Sequence, residues 1–271
     1  MISAILSLAA WILLVALALR HLRAAGYAPH ICAILVALFS LQLAAALSAN
    51  TLHALLLALA LFLMARAAME FAVVQSARGV IALSLSLAAV QIASPAGLMV
   101  SAVVVPAFAA SRGAPRGKNS GLLLLLLFTP LVSAVVFAYL AREFRFDPWM
   151  HTAGPFDRLL RPQIFDRMSP RRSGLINAVA LVVVAFPIWW AASKSRRARV
   201  VAVIVSATVV AVAVAAWLQR SYPLGAFVPA LSGLSLLAIA EIEDAPHRAR
   251  QAIAIASASV IVSWLLLMVP L

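Results

Sequence analysis

TLHALLLALALFLMARAAMEFAVVQSARG, residues 51–79, runs from Thr51 to Ala65 without a charge and then meets Arg66, Glu70, Gln75 and Arg78 in quick succession. The apolar part is continuous, with no alternation, so it reads as a helix and not as a half-buried strand. Arg66 and Glu70 stand four residues apart, which puts them on one helix face within pairing distance. Such a pair is either a charge buried in a bilayer, which is costly and usually functional, or the wet end of a spanning helix. Helix length separates the two. Arg66 lies about 22 Å along the axis from Thr51, so its long side chain can snorkel to the surface, leaving Glu70 at the inner headgroup boundary. Arg66, Glu70, Gln75 and Arg78 are therefore candidate gate or relay residues at a helix end.

The whole chain repeats this pattern. Of its 271 residues 65% are hydrophobic and 11% charged, far outside the range of soluble domains. Lipid offers the backbone no hydrogen-bond partner, so apolar runs of about twenty residues imply spanning helices. The formal net charge of +13 would suggest nucleic acid in a soluble protein. Here Lys and Arg fall in short gaps between apolar runs, where they orient helices and meet anionic headgroups. The expected partner is the lipid bilayer, with other membrane subunits, and not nucleic acid. The single cysteine, Cys32, excludes a disulfide within one chain. The first apolar run lacks a basic segment before it, and Arg20 and Arg23 follow it. That order favours a retained first helix with its N-terminus outside over a signal peptide.

The fold class expected is all-α: one polytopic membrane domain, 1–271, of about ten transmembrane or re-entrant helices. These lie near 2–20, 29–48, 51–70, 79–93, 97–111, 121–140, 173–193, 200–218, 223–240 and 252–270. Pro29 and Pro223 sit at first-turn positions, where a missing N–H costs nothing. Residues 79–111, broken at Ser94-Pro95-Ala96-Gly97, would be about 46–50 Å long as one helix, too long for a ~30 Å core. As two crossings or as a re-entrant pair they return the chain to the side it left. That arrangement gathers Arg20, Arg23, Arg66, Arg78, Arg112, Arg116, Lys118, Lys194, Arg196, Arg197, Arg199, Arg248 and Arg250 inside and leaves Arg220 in the short outside loops. The positive-inside rule prefers it. The expectation is a multi-pass protein of the cell (inner) membrane with both termini outside.

One long loop, 142–172, then falls outside. It reads REFRFDPWMHTAGPFDRLLRPQIFDRMSPRR, with Phe-Asp at 146–147, 156–157 and 165–166. Its aromatic residues suit the membrane interface, as an amphipathic extramembrane loop. Arg142, Arg145, Asp147, Trp149, Arg158, Arg161 and Arg167 form a candidate headgroup or anion site; Asp–Arg pairs that only brace neighbouring helices are the simpler reading.

Metal or haem chemistry has little to stand on. His21, His30, His53, His151 and His247 show no pair spaced as two ligands on one helix face. The sequence points to no cofactor, metal or catalytic residue. Pro95, Pro106, Pro130, Pro187 and Pro229 lie in or beside apolar segments, and each frees a carbonyl that transporters use at gates and packed helices satisfy otherwise. Serines such as Ser84, Ser86, Ser206, Ser232 and Ser259 favour close helix contact.

The first 140 residues resemble the small proton-channel-type subunits of membrane-bound hydrogenases and cation/proton antiporter complexes. The resemblance is carried by a basic residue late in an early helix, Arg66, and a later GLLLL helix, Gly121–Leu125. The acid those subunits place in the later helix has no counterpart in LLLLLLFTP. The expected function is a transporter-like protein, or an integral subunit of a membrane transport or ion-translocating complex. The rival is a membrane enzyme acting on a lipid-linked or amphiphilic substrate through the 142–172 loop.

Overall fold

The computed structural model describes residues 2–46, 51–73, 77–93, 129, 135, 170–219 and 228–268. Among them are eight α-helices and no strand: α1 Ile2–Ala24, α2 Pro29–Ala46, α3 Thr51–Val73, α4 Ala77–Ala93, α5 Pro170–Ala192, α6 Arg196–Gln219, α7 Val228–Ala240 and α8 Ala249–Met268. The chain is thus all-helical in its described parts. The expected helix 97–111, all of 121–140 but Thr129 and Val135, the 94–97 break, Gln75, Arg220, Pro223 and residues 142–169 of the long loop, with its seven candidate residues, lie outside them; the last three residues of that expected loop, 170–172, are instead the first turn of α5.

Most helix ends differ from the hydropathy reading by a few residues, for local reasons. Arg20 and Arg23 are good helix formers, so α1 runs past the apolar stretch. It stops at Gly26, whose φ of 86° supplies the left-handed cap. There the Tyr27 N–H reaches Leu22 O at 3.2 Å and the Gly26 N–H reaches Arg23 O at 3.0 Å, a Schellman pattern. Basic residues likewise do not delay α6. Ser195 accepts from the Arg197 N–H at 3.2 Å and starts the helix at Arg196.

The helices pack as hairpins around one axis. α3 pairs with α4 and α5 with α6, while α7 touches α1, α2, α3, α5 and α6, and α8 lies against α2 and α5. All residues from Ala230 to Ala240 are buried, so α7 is the core of the bundle. It is hydrophobic on every side, as a central helix must be. Its small residues let neighbours approach closely: a Cβ on Gly233 would stand 3.3 Å from Leu14 Cδ1 of α1.

Several polar side chains in the core bond to backbone carbonyls. Pro187 interrupts α5; it has no N–H, and its ring crowds the carbonyl four residues earlier, that of Val183. Ser259 of α8 donates to Val183 O at 2.9 Å. Ser235 of α7 donates to Leu231 O of its own helix at 2.8 Å and stands 3.2 Å from the next carbonyl, Val184 O. A neighbouring helix thereby satisfies the freed carbonyl, the packing solution for a proline in a helix bundle.

The outer faces carry apolar side chains too. Ile5, Leu85, Phe186, Val210 and Ile261, from α1, α4, α5, α6 and α8, are each more than half exposed, up to 67% at Leu85. By length and composition α8 is a clear span candidate over Ala249–Leu266, with mean hydropathy 1.5. Shorter apolar stretches occupy Pro29–Leu41, Arg78–Val90, Leu181–Ala192 and Ala230–Ala240.

Candidate functional site

Three described turns, 25–28, 193–195 and 241–248, meet at one end of the bundle. The turn after α1 touches the turn after α7, because a Cβ on Gly26 would lie 3.4 Å from Pro246 Cγ. Tyr27 in the first turn donates its hydroxyl to Ile239 O, near the C-terminus of α7, at 3.2 Å. Arg197 at the start of α6 reaches Glu241, just past α7, at 3.5 Å. His21 near the end of α1 packs edge-on against Phe62 of α3, with ring centroids 5.9 Å apart and planes at 62°. The C-terminal ends of α1, α3, α5 and α7 and the N-terminal ends of α2, α4, α6 and α8 therefore share this end.

That geometry collects charges far apart in sequence. Arg20, Arg23, Arg66, Arg78, Lys194, Arg196, Arg197, Arg199, Arg248 and Arg250 all lie here, together with Glu70, Glu241, Glu243 and Asp244. Buried polar side chains among the described residues are only serines and one threonine. Charge thus stays at the ends of the bundle, with Arg171 and Arg172 at the opposite one, and out of its described interior. Asp244 holds a left-handed conformation, φ 56°, in the α7–α8 turn, where its carbonyl accepts from the His247 and Arg248 N–H groups. Aspartate tolerates this region better than most residues.

Arg66 and Glu70 pair as their spacing implies, Nε to Oε1 at 3.1 Å, with side chains 33% and 62% exposed. The helix continues to Val73, so the pair sits in its last two turns. An exposed pair of this kind contributes roughly 0.3–0.5 kcal/mol, too little to be kept for stability. Arg78 is exposed in the first turn of α4. Gln75 and the loop residues Arg142, Arg145, Asp147, Trp149, Arg158, Arg161 and Arg167 are outside the described residues, so no geometry joins them to this site.

Three residues that sequence reading passed over complete the end. Glu241 is 17% exposed, the more enclosed partner of its pair, while Arg197 is 57% exposed. His21 is half-buried, and its Nε2 is enclosed with no hydrogen-bond partner. Arg66, Glu241, Arg20 and Glu70 all lie close enough to act on it electrostatically. The Tyr27 hydroxyl is pushed up to about 12, mainly by burial, so it stays protonated and keeps donating to Ile239 O. The 44 residues between Arg197 and Glu241, and the 212 between Tyr27 and Ile239, hid these contacts from any local motif.

Among the described residues no group of three or more His, Cys, Asp or Glu is placed to hold a metal ion. No protein-family model matches the chain, and no curated protein or solved structure matches it either.

Proposed function

We propose that the chain is a multi-pass integral membrane protein, transporter-like or an integral subunit of an ion-translocating complex, that works at its charged end. The observation that carries the reading is the contrast between its surfaces. Apolar side chains face outward from α1, α4, α5, α6 and α8, while ten basic and four acidic residues gather at one end and Arg171 and Arg172, at the start of α5, stand at the other. In water such outward apolar surface would drive aggregation; in a bilayer it meets acyl chains at no cost. The charged end is then the inner face, by the positive-inside rule.

The same geometry bears on the count of crossings. α4 leaves the charged end and α5 returns to it, so α4 ends and α5 begins at the far side of the bundle. An even number of crossings between them, two in the ten-helix arrangement, suits that parity and puts the 142–172 loop outside. With no charged side chain buried among the described residues, Arg66, Glu70 and Arg78 act as a gate at the inner mouth and not as a relay through the middle of the bundle.

Reconstitution tests this. Vesicles loaded with indicators for H⁺, Na⁺ and K⁺ should show a flux with the wild-type chain above that of empty vesicles, and Glu70→Gln should reduce it. Equal leaks from wild type, Glu70→Gln and empty vesicles would remove the transporter reading and leave the subunit reading. Copurification of a stoichiometric partner from native membranes tests the latter.

A further inference from the structure

We propose that His21 is a proton-binding site at the inner mouth, and that its occupancy controls the Arg197–Glu241 link between α6 and α7. The inference rests on the functional reading above and names its ion as the proton. Three observations carry it. First, His21 Nε2 is enclosed and has no hydrogen-bond partner, although its ring is fixed edge-on against Phe62. A buried polar atom left unsatisfied costs free energy, and such atoms mark places with another role. Second, burial and the positive charges of Arg66 on α3 and Arg20 on its own helix oppose any cation at the ring, and a metal ion more than a proton. A metal ion would need several oxygen ligands there, whereas a proton needs one nitrogen lone pair. Third, two acids lie near it, and they differ in availability. Glu70 is held by Arg66 at 3.1 Å and is mostly exposed. Glu241 is enclosed and only loosely held by Arg197, at 3.5 Å.

The step is simple in its balance. A proton from the inner aqueous phase adds to the free imidazole nitrogen and no covalent bond breaks. The imidazolium then has two N–H donors and a positive charge in an enclosed place, where it requires an anion. Glu241 is the acid that can turn to it, because releasing Arg197 returns a half-exposed guanidinium to water. Burial first, and then Arg66 and Arg20, oppose the added charge, so the site fills only in acid. The groups facing the ring are thus Arg20 on α1, Arg66 and Glu70 on α3 and Glu241 after α7, with Arg197 of α6 acting through Glu241. Freed of Glu241, the α5–α6 turn loses its ionic tether to the axial helix.

Spin-label distance measurement on the purified full chain reads this directly. In a Cys32→Ser background, Lys194→Cys and Glu243→Cys place labels on two exposed turn positions either side of the link. Acidification from about pH 8 to about pH 5 should lengthen or broaden the distance by a few ångströms or more. His21→Gln should abolish the change, and Glu241→Gln should give the open distance at both pH values. An unchanged wild-type distance overturns the proposal without any His21 variant. Persistence of the change in folded His21→Gln overturns it as well, assigning the proton to another group. The measurement reads local separation and not flux, so its failure leaves the membrane-transport reading standing.

Discussion

Replacing Ser259 by alanine deletes the donor that α8 offers to the proline-freed carbonyl of α5, 2.9 Å from Val183 O. No N–H four residues on can replace it, because that residue is Pro187. A buried carbonyl without a partner costs about 1–3 kcal/mol, and hydroxyl bonds between membrane helices reach about 1.7 kcal/mol. We expect Ser259→Ala to destabilise the bundle by about 1 kcal/mol, roughly a fivefold change in the unfolding equilibrium. The informative measurement is a double-mutant cycle, followed by helical ellipticity during denaturation in micelles. Pro187→Ala restores an N–H that can bond Val183 O along the helix, so in that background the Ser259→Ala penalty should fall to a few tenths of a kcal/mol. Other contacts of Ser259 are lost equally in both backgrounds and cancel in the coupling term. An equal penalty with and without Pro187 would refute the assignment of Ser259 to the broken turn.

The remaining predictions concern the same packing and the charged end. Gly233→Val should cost about 1–3 kcal/mol, because the added atoms meet Leu14 Cδ1, and Leu14→Ala should relieve part of it; thermal unfolding in detergent reads both. Gly26→Ala forces a β-carbon into a φ of 86° beside Pro246 and should lower stability by about 1 kcal/mol in the same assay. Tyr27→Phe should cost about 0.5–1.5 kcal/mol through the lost bond to Ile239 O. Its pH dependence has a fixed sign. The hydroxyl is raised in the folded state from 10.0 to about 12, so its contribution is complete below pH 10 and disappears as pH climbs through 12. An alkaline loss of stability on the order of 2 kcal/mol over that window should be present in wild type and missing in Tyr27→Phe.

Local signals carried the helices and one side of the site. Continuous apolar runs announced the eight described helices. The Arg66–Glu70 spacing announced a pair that the structure closes at 3.1 Å. Helix ends were misjudged where hydropathy was the guide: Arg196, Arg197 and Arg199 are charged and still helical, since Ser195 caps them. Pro187 signalled a freed carbonyl, but its partner is 76 residues from Val183 and on another helix. Glu241 and His21 gave no warning. An acid after an apolar helix and a histidine between arginines are ordinary helix-end residues until packing brings α1, α3, α6 and α7 together. Their roles belong to tertiary structure, which no spacing encodes.

The central claim is a membrane bundle whose gathered charges face the cytoplasm and whose 142–172 loop faces outward. Topology reporters at Lys194, in the α5–α6 turn of the charged end, and at Thr152, in that loop, test it most directly. The account predicts Lys194 inside and Thr152 outside, in a chain that stays in the membrane after alkaline carbonate extraction. Both reporters on one side, or release of the chain by carbonate, would contradict it.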